Sequence, residues 1–313
     1  MVICTRNRSA ALREACLGVL ACSPPAGGWE LVVVDNASTD DTLTVARTVE
    51  QERPEFVRVV QESEVGLSAA RNAGVRCARG ELLLFLDDDA LPAPGWLRDL
   101  AAGLGEPRVL CAGGPVEPVF QGELPVWFSG RYLPYLTVWD LGSEPMRLAY
   151  NEYPRGANMG FRREAFDRFG LFSTHLGRSG ASLLSCEETE LCLRLERGGG
   201  EILYIPGARV RHLTDVARLT PGWLERRFAA QGRSEAILNW QHAGFGGLLA
   251  GVRANRRRIA AARRDRAWGA KLFIRCHRRA ARAYLAGLVT APFKVPRYRP
   301  PSGETAAPWR PAE

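Results

Sequence analysis

The sequence predicts an α/β fold in which a mostly parallel sheet is flanked by helices and followed by a helical C-terminal extension. Short β-rich runs alternate with helix-like stretches over residues 1–115, which is the pattern of parallel strands joined by crossover helices. Residues 248–288 mix arginine with apolar residues at helix-compatible spacing. Of the 313 residues, 46% are hydrophobic and 24% charged, a balance that is typical of globular proteins and excludes disordered and fibrous classes.

The first 115 residues supply four strands and three helices in alternation. The predicted strands cover 2–4, 30–34, 56–60 and 82–86, and the predicted helices cover 9–22, 41–52 and 67–78. The strand at 82–86 is apolar at every position, as is usual for a strand buried on both faces. Polar residues follow three of the strands, at 5–8, 35–40 and 87–89. Because ligands of open α/β sheets bind beyond the carboxyl ends of the strands, these segments mark the expected site.

The second part of the chain begins with an irregular segment, 116–155, that is rich in proline, glycine and aromatic residues. Such a long loop is usually functional or disordered. Its aromatic residues favour an ordered role, either facing a ligand or covering the core: Phe120, Trp127, Phe128, Tyr132, Tyr135 and Trp139. Beyond it we expect strands at 158–162 and 201–205, and helices at 164–169, 187–197, 221–239 and 248–288. The proline-rich tail, 291–313, is expected to be flexible.

The net charge of +8 is unevenly distributed. Residues 253–282 hold twelve arginines and lysines against one aspartate, whereas residues 1–252 carry a small net negative charge. The basic character therefore belongs to the C-terminal region, and no nucleic-acid partner is predicted. A basic amphipathic helix at 253–282 could lie on an anionic membrane surface. The alternative is a solvated helical extension packed on the rest of the protein.

The eight cysteines are scattered and form no C-x-x-C pair. This spacing argues against a zinc cage and a disulfide scaffold, and it suits a reducing compartment. The sequence contains neither a run of about 18 apolar residues nor a signal-peptide profile. We therefore expect a cytoplasmic protein, peripheral at the inner face of the plasma membrane if the basic helix binds lipid.

Three adjacent carboxylates, Asp87-Asp88-Asp89, directly follow the apolar strand 82–86. Two unit charges about 4 Å apart repel one another by about 4 kcal/mol at an effective dielectric constant of about 20. A divalent cation removes that repulsion, and carboxylate oxygens suit Mg²⁺ and Mn²⁺. The alternative is an acidic turn that caps the next helix, but the position after so apolar a strand favours a metal site.

Six segments occur in order and at suitable spacing: Val-Ile-Cys-Thr-Arg-Asn-Arg (2–8), Val-Val-Asp-Asn-Ala-Ser-Thr-Asp-Asp-Thr (33–42), Gly-Leu-Ser-Ala-Ala-Arg-Asn-Ala-Gly (66–74), Phe-Leu-Asp-Asp-Asp-Ala (85–90), Arg-Gly-Ala-Asn-Met-Gly-Phe-Arg-Arg-Glu-Ala-Phe (155–166) and Glu-Glu-Thr-Glu-Leu-Cys-Leu-Arg-Leu (187–195). Together they resemble the family 2 glycosyltransferases of the GT-A fold, over residues 1–215. The resemblance implies the nucleotide-diphospho-sugar transferase architecture, with a nucleotide-binding half at 1–115 and an acceptor and catalytic half at 116–215. Residues 216–290 then form a basic helical region.

The resemblance also implies inverting transfer of a sugar from a nucleotide diphosphate donor, usually with Mn²⁺ or Mg²⁺. The implied nucleotide-binding residues are Thr5, Arg8, Asp35, Arg71, Asp87 and Asp88. The implied metal ligands are Asp89, Asp87 and His212. Asp35 matches the acid that accepts a hydrogen bond from a pyrimidine N–H. Because a carboxylate only accepts, it suits uracil or thymine and opposes cytosine.

Simpler structural roles compete with these assignments. Asp35 could form an Asx turn after its strand, and Arg71 could lie on a solvated helix face. His212 could be an ordinary structural histidine. The N-terminus is a further departure, because relatives usually carry several residues before the first strand, whereas Met1 occupies its first position here. Either that strand is truncated or the true start codon lies upstream.

The general base implied by the resemblance is a carboxylate in a Glu-Asp pair at the start of a helix, which takes the proton of the acceptor hydroxyl. This chain departs from that pair, because it has Glu187-Glu188. Glu188 occupies the place of the aspartate and is the expected base, with Glu187 second. Alternatively, both only favour the positive helix N-terminus. Glu190 is expected to orient the helix or bind the acceptor. The segment that lines the donor-sugar and acceptor pocket is matched by Arg155, Asn158 and Met159.

The expected function is therefore transfer from a UDP- or dTDP-sugar to a sugar or lipid-linked acceptor, in cell-surface polysaccharide or glycolipid assembly. A sugar-phosphate nucleotidyltransferase is one alternative, but it would need a glycine-rich phosphate loop after the first strand, and residues 5–8 contain no glycine. A dinucleotide-dependent oxidoreductase lacks its G-x-G-x-x-G for the same reason. A non-enzymatic module that binds membrane or nucleic acid through the arginine-rich helix leaves the acidic motifs unexplained.

Overall fold

The computed structural model describes residues 1–264 and 270–298. The chain forms two compact units. The first, here called the sheet unit, comprises Met1–Val119, Thr137–Phe172 and Leu191–Leu213. The second, the helical unit, comprises Phe120–Leu136, Ser173–Glu190 and Thr214–Glu313. The predicted division of the chain at residue 215 remains a prediction, because the compact units group the chain by contact and not by function.

Eleven strands and eight helices make up the described residues, with short 3-10 helices at Gly130–Leu136 and Val216–Arg218. The strands are β1 (Val2–Thr5), β2 (Leu31–Asp35), β3 (Val57–Gln61), β4 (Leu82–Asp87), β5 (Ala90–Pro92), β6 (Val109–Gly113), β7 (Val116–Phe120), β8 (Met146–Arg147), β9 (Asn158–Arg162), β10 (Glu201–Tyr204) and β11 (Val210–Thr214). The helices are α1 (Ser9–Leu20), α2 (Thr42–Glu52), α3 (Leu67–Cys77), α4 (Trp96–Gly103), α5 (Arg163–Phe169), α6 (Glu187–Arg197), α7 (Pro221–Arg264) and α8 (Ala270–Lys294).

The main sheet has eight strands in the order β3-β2-β1-β4-β9-β6-β10-β8. The four strands β3, β2, β1 and β4 are mutually parallel, and β6 is parallel to β10. In contrast, β9 is antiparallel to both of its neighbours, and β8 is antiparallel to β10. A smaller sheet has the order β5-β11-β7. The predicted α/β class is thus confirmed, with a mixed sheet whose parallel strands lie mainly in the N-terminal part.

The parallel strands are arranged so that their carboxyl ends bring polar residues together. In the register of β1 with its two neighbours, Thr5 pairs with Asp35, and Cys4 pairs with Asp87. Every residue of β2 is buried, as expected for a valine-rich strand covered on both faces. Helix α3 packs directly on β1, because a Cβ built on Gly74 would lie only 2.5 Å from Cγ1 of Val2. Glycine at position 74 thus allows α3 to lie close to β1.

The helical unit is built mainly from α7 and α8, which pack against each other. Helix α7 bends at Gly244, whose φ of 55° and ψ of −142° only glycine adopts without strain. The sequence predicted separate helices at 221–239 and 248–288, and the bend lies between them. Within the second of these, α7 ends at Arg264 and α8 begins at Ala270, and residues 265–269 lie outside the described part of the chain.

The segment 116–155, which the sequence indicated to be irregular, contains β7, β8 and a 3-10 helix. Four of its aromatic residues belong to the core of the helical unit, where they pack with Leu224, Phe228 and Phe273: Trp127, Phe128, Tyr132 and Tyr135. The Tyr135 and Phe228 rings stack with centroids 3.6 Å apart. Of the two roles expected for these residues, the structure therefore supports covering the core.

Among the described residues, no helix combines the length and the apolar run that crossing a bilayer requires. Helix α8 continues through Pro292 to Lys294. Residues 299–313, which make up most of the predicted flexible tail, lie outside the described part.

A buried hydrogen-bond network around Asn158 joins three elements of the sheet unit. The side-chain amide of Asn158 donates to the carbonyl oxygens of Pro115 (3.0 Å) and Ala208 (2.7 Å). Its Oδ1 accepts from the indole nitrogen of Trp96 at 2.8 Å. The side chains of Asn158 and Trp96 are both fully buried, so that no water replaces these bonds.

Replacing Asn158 with alanine should therefore lower the free energy of unfolding by about 3 kcal/mol, because it removes three buried hydrogen bonds, two of them the bonds of the Trp96 indole and the Ala208 carbonyl group to this side chain. Urea denaturation followed by circular dichroism measures the change. Met159→Leu is the matched control at the next position of β9, and a swap of similar volume should cost less than about 1.5 kcal/mol. Equal stability of the two variants would contradict this account of the network.

Candidate functional site

The carboxyl ends of β1 and β2 carry a buried polar pair, Thr5 and Asp35. Oδ2 of Asp35 accepts a long hydrogen bond of 3.4 Å from the backbone N–H of Ser38. Its Oδ1 is buried and has no hydrogen-bond partner among the described residues. Leaving a buried carboxylate oxygen without a donor is costly, so this atom is suited to a ligand that presents an N–H.

Asn36 fixes the loop beside Asp35. Its Oδ1 accepts from the backbone N–H of Gly66 at 2.8 Å, and its amide donates to the carbonyl oxygens of Glu62 (3.0 Å) and Glu64 (2.7 Å). The sequence assigned no role to Asn36 itself. A residue that bonds a loop about 30 positions away leaves no local pattern from which that role could be inferred.

The three adjacent carboxylates at the end of β4 point to three different partners. Oδ1 of Asp87 lies 3.2 Å from the guanidinium of Arg71. Oδ2 of Asp88 accepts a 2.7 Å hydrogen bond from the hydroxyl of Thr5. Asp89 is buried and contacts Arg8 and His212. Separate partners reduce the mutual repulsion of three neighbouring negative charges.

Asp89 lies between Arg8 and His212. Its Oδ2 is 3.2 Å from a guanidinium nitrogen of Arg8, and its Oδ1 is 3.1 Å from Nε2 of His212. Strand β11 brings the histidine to this position, because His212 pairs with Ala90 in the small sheet. The backbone N–H of Leu213 also donates to the carbonyl oxygen of Asp89, at 2.8 Å.

Asp87, Asp89 and His212 each offer one ligand atom, and these atoms lie within 4.8 Å of one another. Two carboxylates and an imidazole are a donor set that suits Mn²⁺, and the carboxylates also suit Mg²⁺. Nδ1 of His212 is buried and has no hydrogen-bond partner among the described residues, so the ring is held only from its other side. The structure thus brings together the three residues that the sequence named as metal ligands.

The pKa of Asp88 is raised to about 7, mainly because burial disfavours the charged carboxylate and also because Asp89 repels it. The positive charge of Arg8 and the hydrogen bond from Thr5 act in the opposite direction. Asp88 therefore differs from an ordinary exposed aspartate, which is fully ionised at neutral pH.

The two other arginines of the sheet unit with expected roles also have defined positions. Arg71 is buried, donates to the carbonyl oxygen of Gly156 at 3.0 Å and lies 5.8 Å from the ring centre of Phe172. It does not occupy a solvated helix face. The guanidinium of Arg155 lies 5.9 Å from the ring centre of Trp139. Asn158 and Met159 lie in the buried interior of β9, where the amide of Asn158 is already bonded within the protein.

In the helical unit, the first turn of α6 carries the three expected acidic residues. Glu187 and Glu190 are buried and Glu188 is half-buried. Oε1 of Glu190 lies 2.9 Å from Nε2 of His242, a residue of α7 that the sequence had not singled out. Oε2 of Glu188 is buried and has no hydrogen-bond partner among the described residues. Of the three, Glu190 is thus committed to a buried ion pair or hydrogen bond, whereas Glu188 keeps an oxygen that can accept a proton.

The residue before this turn, Cys186, has a φ of 73° in the left-handed region, which strains a residue other than glycine. Helix α7 holds this backbone in place. The hydroxyl of Ser234 accepts from the backbone N–H of Ser185 at 2.9 Å, and the amide of Gln231 donates to the sulfur of Cys186 at 3.4 Å. No sequence pattern indicated Gln231 or Ser234, because they lie about 45 residues away on a helix without a motif.

The thiol of Cys186 is not suited to act as a nucleophile, although it adjoins the acidic turn. Burial raises its pKa to about 12, and the negative charges of Glu188 and Glu235 act in the same direction. A thiol with that pKa is protonated at neutral pH and reacts slowly.

The chain is similar to known proteins both in sequence and in fold. A glucosyl-dolichyl phosphate glucuronosyltransferase from Haloferax volcanii is 27% identical over 219 residues, which cover 65% of this chain and 69% of the relative. The succinoglycan biosynthesis protein ExoM from Rhizobium meliloti is 28% identical over 242 residues, which cover 75% and 73% of the two chains. The solved mannosyltransferase PcManGT from Pyrobaculum calidifontis, in complex with GDP-Man and Mn²⁺, shares the fold with a TM-score of 0.55 at 21% identity, over 94% of this chain and 74% of that one.

The sequence profile of glycosyl transferase family 2 matches residues 1–170, which is more than half of the chain. The match covers the ends of β2 and β4, which carry Asp35 and the three carboxylates Asp87, Asp88 and Asp89. The chain therefore belongs to glycosyl transferase family 2, and it is a glycosyltransferase that transfers a sugar from a nucleotide donor.

Proposed function

We propose that this enzyme uses a UDP- or dTDP-linked sugar and transfers it, with inversion at the anomeric carbon, to an acceptor hydroxyl in cell-surface polysaccharide or glycolipid assembly. The observation that carries the proposal is the group of ligand atoms on Asp87, Asp89 and His212, at the same edge of the sheet as the unpartnered oxygen of Asp35. A cation site and a base-binding carboxylate at one edge are what a nucleotide diphosphate requires.

The nucleoside is assigned from Asp35. A carboxylate only accepts hydrogen bonds, and uracil and thymine each present an N–H at position 3 of the ring, whereas cytosine presents an acceptor there. Guanine also presents N–H donors on its Watson–Crick edge, and the structural neighbour that carries GDP-Man makes a GDP-sugar the second candidate. Both candidates would use the same oxygen of Asp35. Measuring the binding of UDP, dTDP, CDP and GDP distinguishes the pyrimidine from the guanine nucleotide.

The diphosphate is assigned from the charges around the acidic triplet. Asp87, Asp89 and His212 would hold Mn²⁺ or Mg²⁺, which when bound stabilises the negative charge of the departing diphosphate. Arg8 and Arg71 each contact one of these carboxylates and place two further positive charges at the same edge. Thr5 orients Asp88 through its hydroxyl and thereby keeps the third carboxylate out of the group of ligand atoms.

The general base is assigned to Glu188. In a single displacement the acceptor oxygen bonds to the anomeric carbon as the bond from that carbon to the diphosphate oxygen breaks, and the acceptor proton passes to the base. Glu188 has a buried oxygen that is suited to take it, whereas Glu190 is held by His242. Such a base contributes about 10²–10⁴-fold to the rate. Glu187 is the second candidate, and Glu190 is a positioning residue for the helix.

The acceptor class is inferred from the relatives. One of them is named for a glucosyl-dolichyl phosphate, a saccharide linked to a lipid, and another for the biosynthesis of succinoglycan. Both names support a saccharide acceptor, free or lipid-linked. Arg155 is the basic residue proposed to lie towards the donor. Asn158 and Met159 take no part in this proposal, because both are buried in the sheet and the amide of Asn158 is already bonded within the protein.

Asp89→Ala should abolish metal-dependent nucleotide binding. In isothermal titration calorimetry, UDP should bind the wild-type protein more tightly with Mn²⁺ than with EDTA, and the variant should lose this difference because one of three ligands is gone. Asp167→Ala, which removes an exposed carboxylate of α5, is the matched control and should bind as the wild type does. An unchanged response to Mn²⁺ in Asp89→Ala would argue against the assigned metal group.

Asp35→Asn should change which nucleotide binds. Losing the charged acceptor should weaken UDP binding by about tenfold or more, since hydrogen bonds to charged groups contribute about 1.5–3 kcal/mol. Because the new amide can donate, CDP should bind the variant better than it binds the wild type. Asp41→Asn, at an exposed position of the same loop, serves as the control. If wild-type binding is tightest for GDP and it is GDP that the variant loses, the guanine candidate replaces the pyrimidine.

Glu188→Gln should retain donor binding but lose transfer by about a hundredfold or more, because the amide cannot take the acceptor proton. Single-turnover measurement of product formation separates the chemical step from binding. Glu187→Gln is the direct comparison, with a small effect expected. The opposite order of the two variants would move the role of base to Glu187.

A further inference from the structure

Helix α8 carries one continuous exposed stripe whose character changes along its length. Residues that recur every three or four positions lie on the same face of a helix. The exposed residues at this spacing are Lys271, Arg275, Arg278, Arg282, Leu285, Val289 and Phe293. The first four are basic and the last three are apolar, with exposed fractions of 48%, 68% and 87% for Leu285, Val289 and Phe293.

The second half of α7, after the bend at Gly244, has the same arrangement in reverse order. Its first exposed side chains are Phe245 (68%) and Leu249 (61%), and arginines follow on the same face. The exposed arginines at helical spacing from these two are Arg253, Arg256 and Arg263. Both helices therefore have one apolar end and one basic part.

The two helices run in opposite directions, so their apolar ends coincide. The hydroxyl of Tyr284 donates to the carbonyl oxygen of Leu248 at 3.1 Å. Eleven positions further along the chain, just beyond the end of α8, the carbonyl oxygen of Val295 accepts from the indole nitrogen of Trp240 at 2.7 Å. The ring of Trp240 in turn lies 5.2 Å from that of Phe245. Phe245 and the C-terminal turn of α8 are thus neighbours at one end of the helical unit.

Five of the nine large apolar side chains that are exposed in the described residues belong to this end, here called the apolar tip: Phe245, Leu249, Leu285, Val289 and Phe293. A concentration of this kind on a water-exposed surface marks an interaction site. No acidic residue lies between 253 and 264 or between 270 and 298. Glu225 and Glu235 of α7 pair with Arg258, Arg275 and Arg279, and the surplus of positive charge that remains next to the tip favours an anionic partner. A nucleic acid would satisfy the charges but leave the apolar tip in water.

We propose that the apolar tip of the helical unit docks on an anionic phospholipid surface. The five apolar side chains enter the boundary between headgroups and acyl chains, and the arginines of both helices contact the lipid phosphates. This mode differs from that of an ordinary amphipathic helix, because the apolar and basic residues follow one another along the helices and do not occupy opposite faces. The expected basic region at 253–282 supplies the charges, but the apolar contribution comes from residues outside it. The proposal does not depend on the identity of the donor or the base.

The experiment is flotation of the full-length protein with two kinds of vesicle, pure phosphatidylcholine and phosphatidylcholine with about 30% phosphatidylglycerol. The protein should bind the anionic vesicles, and raising the NaCl concentration from about 0.05 M to about 0.5 M should weaken binding several-fold. The triple variant Leu285→Ser, Val289→Ser, Phe293→Ser should bind the anionic vesicles about tenfold or more weakly. All three side chains are exposed, so the variant should unfold at the wild-type temperature.

Matched controls distinguish binding through the apolar tip from nonspecific hydrophobic adsorption and from a general effect of net charge. Val126→Ser removes an apolar side chain that is 86% exposed elsewhere in the helical unit and should leave binding unchanged. Arg278→Glu with Arg282→Glu should reduce binding to anionic vesicles, whereas the charge-matched pair Arg53→Glu and Arg108→Glu, exposed in the sheet unit, should reduce it much less.

Four results would overturn the proposal. The first is equal binding to both vesicle types, and the second is full binding by the triple serine variant. The third is the absence of vesicle binding together with a dimer, in light scattering, that the serine variant converts to a monomer, which would make the tip a contact between two copies. Binding that appears only after deletion of residues 299–313 would likewise assign the tip to that segment.

Discussion

The three consecutive carboxylates at the end of β4 repel one another, and the sheet unit places a different partner next to each of them. Each of the three is compensated differently, Asp87 by Arg71, Asp88 by the hydroxyl of Thr5 and Asp89 by Arg8 and His212. These partners come from β1, from α3, from the loop after β1 and from β11, so neutralising one short segment ties together elements far apart in the sequence. The same compensation leaves a compact group of oxygen and nitrogen ligands at the edge of the sheet. Side chains that take part in the charge balance are thus also the candidate ligands of a cation.

Much of the sheet unit could be predicted because its signals are local. Strand β2 consists of buried, mostly β-branched residues, and the stretch before Asp87 is apolar throughout, so both could be recognised from a few residues. The direction of β9 could not be predicted, because a strand's sequence does not specify whether its neighbours are parallel or antiparallel. Strand β8 has two residues and exists only through its pairing with β10, which lies more than fifty positions away. An interaction over that separation leaves no periodic pattern near Met146.

The candidate site divides in the same way. Asp35, Asp87, Asp89 and His212 could be named because they belong to motifs or follow strands, where polar residues stand out against apolar ones. Arg71 illustrates the limit, since it was expected near the nucleotide with a solvated helix face as the alternative, and the sequence did not indicate the buried position that it occupies. His242, Gln231 and Ser234 lie on a long helix and act on a turn about 45 to 55 residues earlier. Only the tertiary structure places them against the acidic turn.

The left-handed backbone at Cys186 is held by contacts with the C-terminal helix α7. The turn that presents Glu187 and Glu188 is held by side chains of α7, which lies entirely beyond the 170 residues that the family profile matches. A protein shortened after residue 215 would still contain every acidic motif. It would lack Gln231 and Ser234, which hold the backbone next to Glu187 and Glu188. Because the proposed base, Glu188, lies on this turn, cleavage in the connection before Pro221 would separate it from the residues that hold its backbone. The C-terminal helices therefore support the turn that carries the proposed base.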